Sequence, residues 1–409
     1  MSETNTEPLN IVCTATYFKG VDFIRECHER GAKVVLLTRY KFRDEAWPRE
    51  CLVDFFMVPD DFTPDILVHA VSQIAKHIKI DRIIALEEFD VISAGRVREH
   101  LLIPGQTSAD AKVFRDKLTM RAKAREAGIN VPDFVHLLNY DALREFMGRV
   151  KPPWILKPRA DVSAIGVKKI HEEEEVWRTI DALDARDNIN EQSSYYLLEK
   201  FVAGRVYHVD SLVRNGEPLF AGVNGYGRPP MNVTHDGGVF ISHTLDYDSD
   251  ERFELLDLNH KLITSFGLER GATHAEFIKS DEDGKFYFLE VASRVGGAYI
   301  AETLEAASGI NIWREWANIE IAGGENEYIL PNARKEYGGI VLSLAKQEYP
   351  NTSAYNDDEI VYRVKKPHHV GLVIRSDSLD RVKELVNDYA VRFTNDFVAV
   401  APPLERPPV

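Results

Sequence analysis

Over the first hundred residues, short apolar runs alternate with helical patterns. Residues 11–15, 34–38, 55–58 and 82–86 are continuous apolar stretches of strand length. Residues 21–30 and 64–79 carry amphipathic helical spacing between them. Strands that lack polar alternation are buried on both faces, which predicts a parallel sheet covered by helices on either side. Such sheets receive ligands at the carboxyl ends of their strands. The first strand-to-helix turn, residues 15–20, lacks the G-x-G-x-x-G spacing, which argues against a dinucleotide site there. Glu87, Glu88 and Asp90 follow the fourth strand and read as an acidic loop capping the next helix, with a direct ligand contact as the alternative.

From about residue 110 the pattern changes. Residues 116–127 form a basic helix stopped by Gly128, and 154–157 a strand running into a loop of small residues. A strand over 167–170 and an acidic helix over 172–184 follow. Three strands come in quick succession at 195–201, 206–213 and 218–222, then a Gly-, Pro- and Asn-rich stretch over 225–238 reads as a surface loop. After a helix over 251–266, residues 273–279 and 285–291 are the arms of a hairpin turning at 280–284. Two helices, a small α/β segment over 337–400 and a proline-rich extended tail complete the chain. Clustered strands after an α/β start predict an α/β plus α+β architecture.

Composition narrows the function. The 409 residues are 44% hydrophobic and 28% charged, which excludes wholesale disorder and coiled coil. Lys plus Arg is 50 and Asp plus Glu 65, a net charge of −15 that disfavours nucleic-acid binding but leaves room for a locally basic pocket. Three cysteines without C-x-x-C spacing argue against a disulfide framework or a thiolate zinc site. With no apolar run of about 20 residues and no secretory leader, a cytoplasmic protein away from the membrane is expected.

Four segments carry candidate chemistry. Lys117 opens the basic helix. Lys157 ends an apolar strand before a loop holding Ser163 and Gly166, where small residues let backbone N–H groups approach phosphate oxygens. The strand through Glu199 and Lys200 ends in an apolar hinge at Val202, whose backbone can pair with a purine edge. Glu276 and Glu290 lie on the hairpin arms. With Phe277 and Leu289 roughly opposite, the two carboxylates are expected to converge, and an all-oxygen pair suits Mg2+. Arg294 follows four residues on, before the Gly296-Gly297 turn.

Taken in this order, the motifs resemble the ATP-grasp superfamily over residues 1–325. The stretch 290–297 is most similar to its carboxylate–amine ligase branch, which includes L-amino acid ligases. The resemblance implies an N-terminal α/β domain over 1–110, a central lid subdomain over 111–200, a C-terminal subdomain with the metal site over 201–330, and an appendage over 331–409. It implies an ADP-forming ligase working through an acyl phosphate. Lys117 and Lys157 would hold phosphates, Ser163 to Gly166 would form a lid, and Lys200 and Val202 would meet adenine beside Glu199. Glu276 and Glu290 would hold two Mg2+ ions, with Mn2+ as the substitute, and Arg294 would stabilise the transferred phosphoryl group. The implied partners are a small carboxylate and a small amine, amino acids foremost, in a chain that the resemblance allows to be a homodimer.

Two positions depart from the family pattern. Val206 stands where relatives carry a ribose-binding Glu, which passes that role to His208 or Asp210. Ala292 stands where many carry a metal-binding Asn. Substrate choice is expected near Arg294, among Asn224, Tyr226, Arg228, His235, Ser242, His243 and Tyr299, with the small Ala298 leaving room at the acyl site. An ATP-dependent carboxylase or purine-pathway ligase, and a non-catalytic nucleotide-binding subunit, are the alternatives.

Overall fold

The computed structural model describes residues 7–160, 165–229, 237–324 and 326–399. Strands β1 (Asn10–Ala15), β2 (Lys33–Arg39), β3 (Leu52–Val58) and β4 (Arg82–Ala85) form a parallel sheet in the order β3-β2-β1-β4. Its strands are apolar throughout because each face has its own cover. Ile11, Cys13 and Ala15 pack with Phe23 and, from far along the chain, Trp316 and Ile319. Val12, Val35 and Leu37 pack with Leu67, Val71, Val91 and Ala94 on the other side. The three cysteines are buried free thiols.

A second sheet holds β5 (Phe134–His136), β6 (Trp154–Pro158), β7 (Lys168–Ile170) and β8 (Tyr196–Lys200) in the order β5-β8-β6-β7, with antiparallel pairing. The remaining strands are β9 (Gly204–Arg214), β10 (Glu217–Tyr226), β11 (Phe240–Thr244), β12 (Arg270–Ser280), β13 (Phe286–Ala292), β14 (Tyr337–Leu344), β15 (Ile360–Arg363) and β16 (His369–Ser376). They form one antiparallel sheet of eight in the order β13-β12-β9-β10-β11-β14-β16-β15.

Two readings of the sequence change here. The segment over 337–400 is joined to the preceding domain, because β14 pairs with β11 through Ser242 and Ile340. The helix Leu379–Asp396 then covers that end of the sheet with Val382, Val386, Tyr389 and Phe393. The stretch expected to loop from 225 begins inside β10, where Gly225 and Tyr226 pair with His243 and Ser242. Among the described residues no helix is long and apolar enough to cross a membrane.

The carboxyl ends of β1 and β4 are tied by Asp90, whose Oδ2 accepts the Thr16 backbone N–H at 2.8 Å. Burial pushes the Asp90 carboxyl up to about 7, against the Thr16 hydrogen bond and with Glu87 adding to the rise. A carboxyl whose folded pKa lies above its unfolded value gives full stability below about pH 4 and loses it as pH rises through about 7. Asp90→Asn keeps an acceptor for Thr16 without the buried charge. It is expected to stabilise the fold at pH 8 by about 1 kcal/mol or more and to change little at pH 4, read from denaturant unfolding at both pH values.

Candidate active site

A cavity of about 410 Å3 opens between the second sheet and the β12–β13 edge of the large one. Lys117, Lys157, the hinge around Val202, and Glu276, Glu290 and Arg294 all line it.

Lys117 begins the helix Lys117–Glu126, whose free N–H groups at Leu118 and Thr119 are capped by the Asp116 carboxylate at 3.0 and 3.3 Å. The same carboxylate pairs with Arg159 at 2.5 Å, and the Lys117 N–H donates to the Arg159 carbonyl at 2.7 Å. Helix start and strand exit are thereby clamped, which brings both lysines to one wall. The Lys157 Nζ lies 2.5 Å from Glu199 Oε1, and Arg121 meets the other oxygen at 3.0 Å. All three side chains are buried. Burial lowers the Lys157 ammonium to about 8, with Glu199 opposing and Arg121 and Lys117 adding to the fall. Burial works to raise the Glu199 carboxyl, but Arg121 and Lys157 outweigh it and hold it below its ordinary value. A cation that is hard to keep charged gains from any anion brought beside it.

The hinge leaves β8 and enters β9 at Gly204. A Cβ there would sit 2.0 Å from the Lys279 carbonyl oxygen, so only glycine fits. The Val202 backbone makes no hydrogen bond among the described residues, while the Lys200 side chain turns to Glu282 at 2.8 Å.

Across the cleft, a bulge sets the carboxylates. Glu276 pairs directly with Glu290, and Phe277 with Phe288, so Leu289 is the extra residue and does not oppose Phe277 as the hairpin spacing suggested. Convergence follows from the bulge. The Glu290 carboxylate meets the Lys117 Nζ at 2.9 Å. Glu276 Oε1 accepts from the Tyr226 hydroxyl at 2.7 Å and lies 3.5 Å from His274 Nε2. Arg294 gives two N–H groups to Glu88 Oε2, at 2.7 and 3.1 Å. Glu88 also pairs with Arg115, which in turn donates to the Ala160 carbonyl at 2.5 Å.

Comparisons with known proteins bear on this arrangement. Residues 150–302 match the ATP-grasp domain model. The chain is 24% identical to the L-arginine-specific L-amino acid ligase of Bacillus subtilis, over 68% of this chain and 67% of that protein. In structure it is similar to the L-amino acid ligase of Bacillus licheniformis, with a TM-score of 0.75 and 16% identity, covering 97% of this chain and 99% of that one. The biotin carboxylase domain of the Hydrogenobacter thermophilus 2-oxoglutarate carboxylase gives 0.72 at 16% identity, covering 96% and 91%. The chain carries an ATP-grasp domain.

Within this ATP-grasp frame the expected residues divide. Lys117, Lys157, Glu199, Lys200, Val202, Glu276, Glu290 and Arg294 line one cleft, and Val206 lines it too. Gly166 sits in a turn at φ 69°, between cleft-lining Ile165 and Val167, and Ser163 lies outside the described residues, as does His235. His208 and Asp210 correct the expectation of a ribose contact. Both are fully buried and bonded to each other at 2.5 Å, on the face they share with Glu276 and His274 but one strand further from the cleft, where Ser242 and His274 take their remaining polar atoms. Asn224 and Ser242, offered as substrate contacts, are likewise buried.

Sequence reasoning missed Glu88, Arg115 and Arg121. Arg121 was signalled by its position four residues after Lys117, on the same helix face. Glu88 reads first as a helix cap from its sequence neighbours, and its position at a strand's carboxyl end is the cue to a larger role. Burial works to raise its carboxyl, and Arg294, Arg115 and Lys117 overcome this to hold it at about 2. Such a carboxylate stabilises the fold above its unfolded pKa of about 4.5 and loses that contribution as pH falls toward 2. Glu88→Gln leaves the buried Arg115 and the partly buried Arg294 without their carboxylate and is expected to cost about 3 kcal/mol at pH 7. The difference between variant and parent should shrink as denaturant unfolding is repeated at lower pH.

Proposed function

We propose that this enzyme joins a carboxylic acid to an amine at the expense of ATP, forming ADP and phosphate, with amino acids as substrates. The observation that carries this reading is the facing of Lys117 and Lys157 by Glu276, Glu290 and Arg294 across one cavity. Two relatives named as L-amino acid ligases, one in sequence and one in structure, support the branch.

In this reading Lys117 and Lys157 hold the triphosphate, and the loop with Ser163 and Gly166 closes over it. The unused Val202 backbone and the Lys200 peptide meet the adenine beside Glu199. Glu276 and Glu290 suit a hard divalent cation: the donors are all oxygen, both line the cleft, and Glu276 keeps an oxygen that neither Tyr226 nor His274 occupies. These two residues would hold Mg2+, two ions as the family does or Mn2+ in its place, supplying charge neutralisation at the phosphates. The substrate carboxylate oxygen attacks the γ-phosphorus, the bond to ADP breaks, and an acyl phosphate forms. Arg294, already fixed by Glu88, carries the charge that develops on the phosphoryl oxygens without reorganising. The amine nitrogen then attacks the acyl carbon and phosphate departs. Water is kept from the acyl phosphate by the closed lid.

A phosphate-release screen with Mg-ATP against single amino acids and pairs tests the reaction class. Release that requires both a carboxylate and an amine is expected, whereas release with bicarbonate alone would favour a carboxylase. Arg294→Ala is expected to lower turnover by about 100-fold or more while nucleotide affinity changes little, measured by steady-state kinetics and calorimetry. ADP formation at the parental rate would contradict the role given to Arg294.

A further inference from the structure

Behind the cleft wall a line of buried polar groups ends on Glu276. The Ser242 hydroxyl lies 2.7 Å from His208 Nε2, and His208 Nδ1 lies 2.5 Å from Asp210 Oδ2. Asp210 Oδ1 is 2.8 Å from His274 Nδ1, and His274 Nε2 is 3.5 Å from Glu276 Oε1. Strand register builds this line: Glu276 pairs with His208, and His274 with Asp210, so all four share one face of β9 and β12. The ligand atoms of His208, Asp210 and His274 lie within 4.8 Å of one another, yet each is spent on its neighbour rather than on a common centre.

Two further contacts lock the line. Tyr226 reaches Glu276 Oε1 with its hydroxyl, and its ring packs 4.7 Å from that of His208. Gly296, two residues past Arg294, lies directly on the Asp210–His274 pair: a Cβ there would be 2.7 Å from Asp210 Oδ1 and 3.1 Å from His274 Nδ1. Both contacts to Glu276 fall on Oε1, so among the described residues its orientation is set from behind and its other oxygen is left for the cleft.

We propose that Asp210, His274 and Tyr226 are positioning residues that aim the Glu276 carboxylate at a divalent cation. This rests on the reading of Glu276 as a metal ligand. Outer partners of this kind change metal affinity by about 10–100-fold when removed, because the ligand loses its fixed direction.

The test is Mn2+ binding, followed by the electron paramagnetic resonance signal of free Mn2+, with ADP present and without turnover. Asp210→Asn is expected to weaken Mn2+ binding about tenfold or more, and Tyr226→Phe by about threefold or more, with metal-free ADP affinity unchanged in both. Tyr226→Phe removes one hydroxyl from a position that keeps its ring, and decides the matter if Asp210→Asn fails to fold. Gly296→Ala, which presses on the Asp210–His274 pair, is expected to act in the same direction. Parental Mn2+ affinity in folded Asp210→Asn and in Tyr226→Phe, alongside a loss in Glu276→Gln, overturns the positioning role. Parental affinity in Glu276→Gln itself overturns the metal reading instead.

Discussion

A charge taken out of water must meet its opposite at hydrogen-bond distance, and this constraint organises the molecule around its cleft. Glu199 answers Lys157 and Arg121; Glu88 answers Arg294 and Arg115; Glu290 answers Lys117. Each pairing joins elements far apart in the chain. Glu88 and Arg294 are 206 residues apart, and their contact fastens the parallel sheet to the end of β13. Without such pairs the cleft and the walls behind it would hold five buried or partly buried cations with nothing to balance them. With them, it offers positive charge whose counter-charges can be shared with an incoming triphosphate.

The pairs also explain why the site can be rigid before a ligand enters. Asp116 serves at once as helix cap and partner of Arg159, so the helix of Lys117 and the strand of Lys157 cannot drift apart without losing the Asp116–Arg159 pair and the backbone bond from Lys117 to Arg159. The bulge at Leu289 brings Glu276 opposite Glu290, and Arg121 bonds the Leu289 carbonyl. Rigid placement is what phosphoryl transfer asks of a protein, since the chemistry is mostly positioning and charge neutralisation.

Much of this could be read from the chain. Continuous apolar strands at 11–15 and 34–38 meant a sheet covered twice, and Phe23 and Val71 cover it. Lys117, Lys157, Glu276, Glu290 and Arg294 were selected by residue type and order, and the fold brings them to one cavity. Failures came where the answer depended on partners distant in sequence. His208 and Asp210 looked available for a ribose because a strand's polar residues do not say whether β12 lies between them and the cleft, nor that Ser242 and His274 take their polar atoms. Glu88 looked like a helix cap because nothing near it in sequence names Arg294. The strands after 337 read as an appendage because the pattern within a strand does not reveal that β14 pairs with β11.

Transfer of the γ-phosphoryl group of ATP to a carboxylate would leave one carboxylate oxygen on the phosphate that departs, and isotopic labelling follows it. With the amino acid that triggers phosphate release labelled with 18O in its carboxylate, and its amine partner present, mass spectrometry should find one 18O in each phosphate released. Label in AMP, or phosphate free of label, would contradict the account.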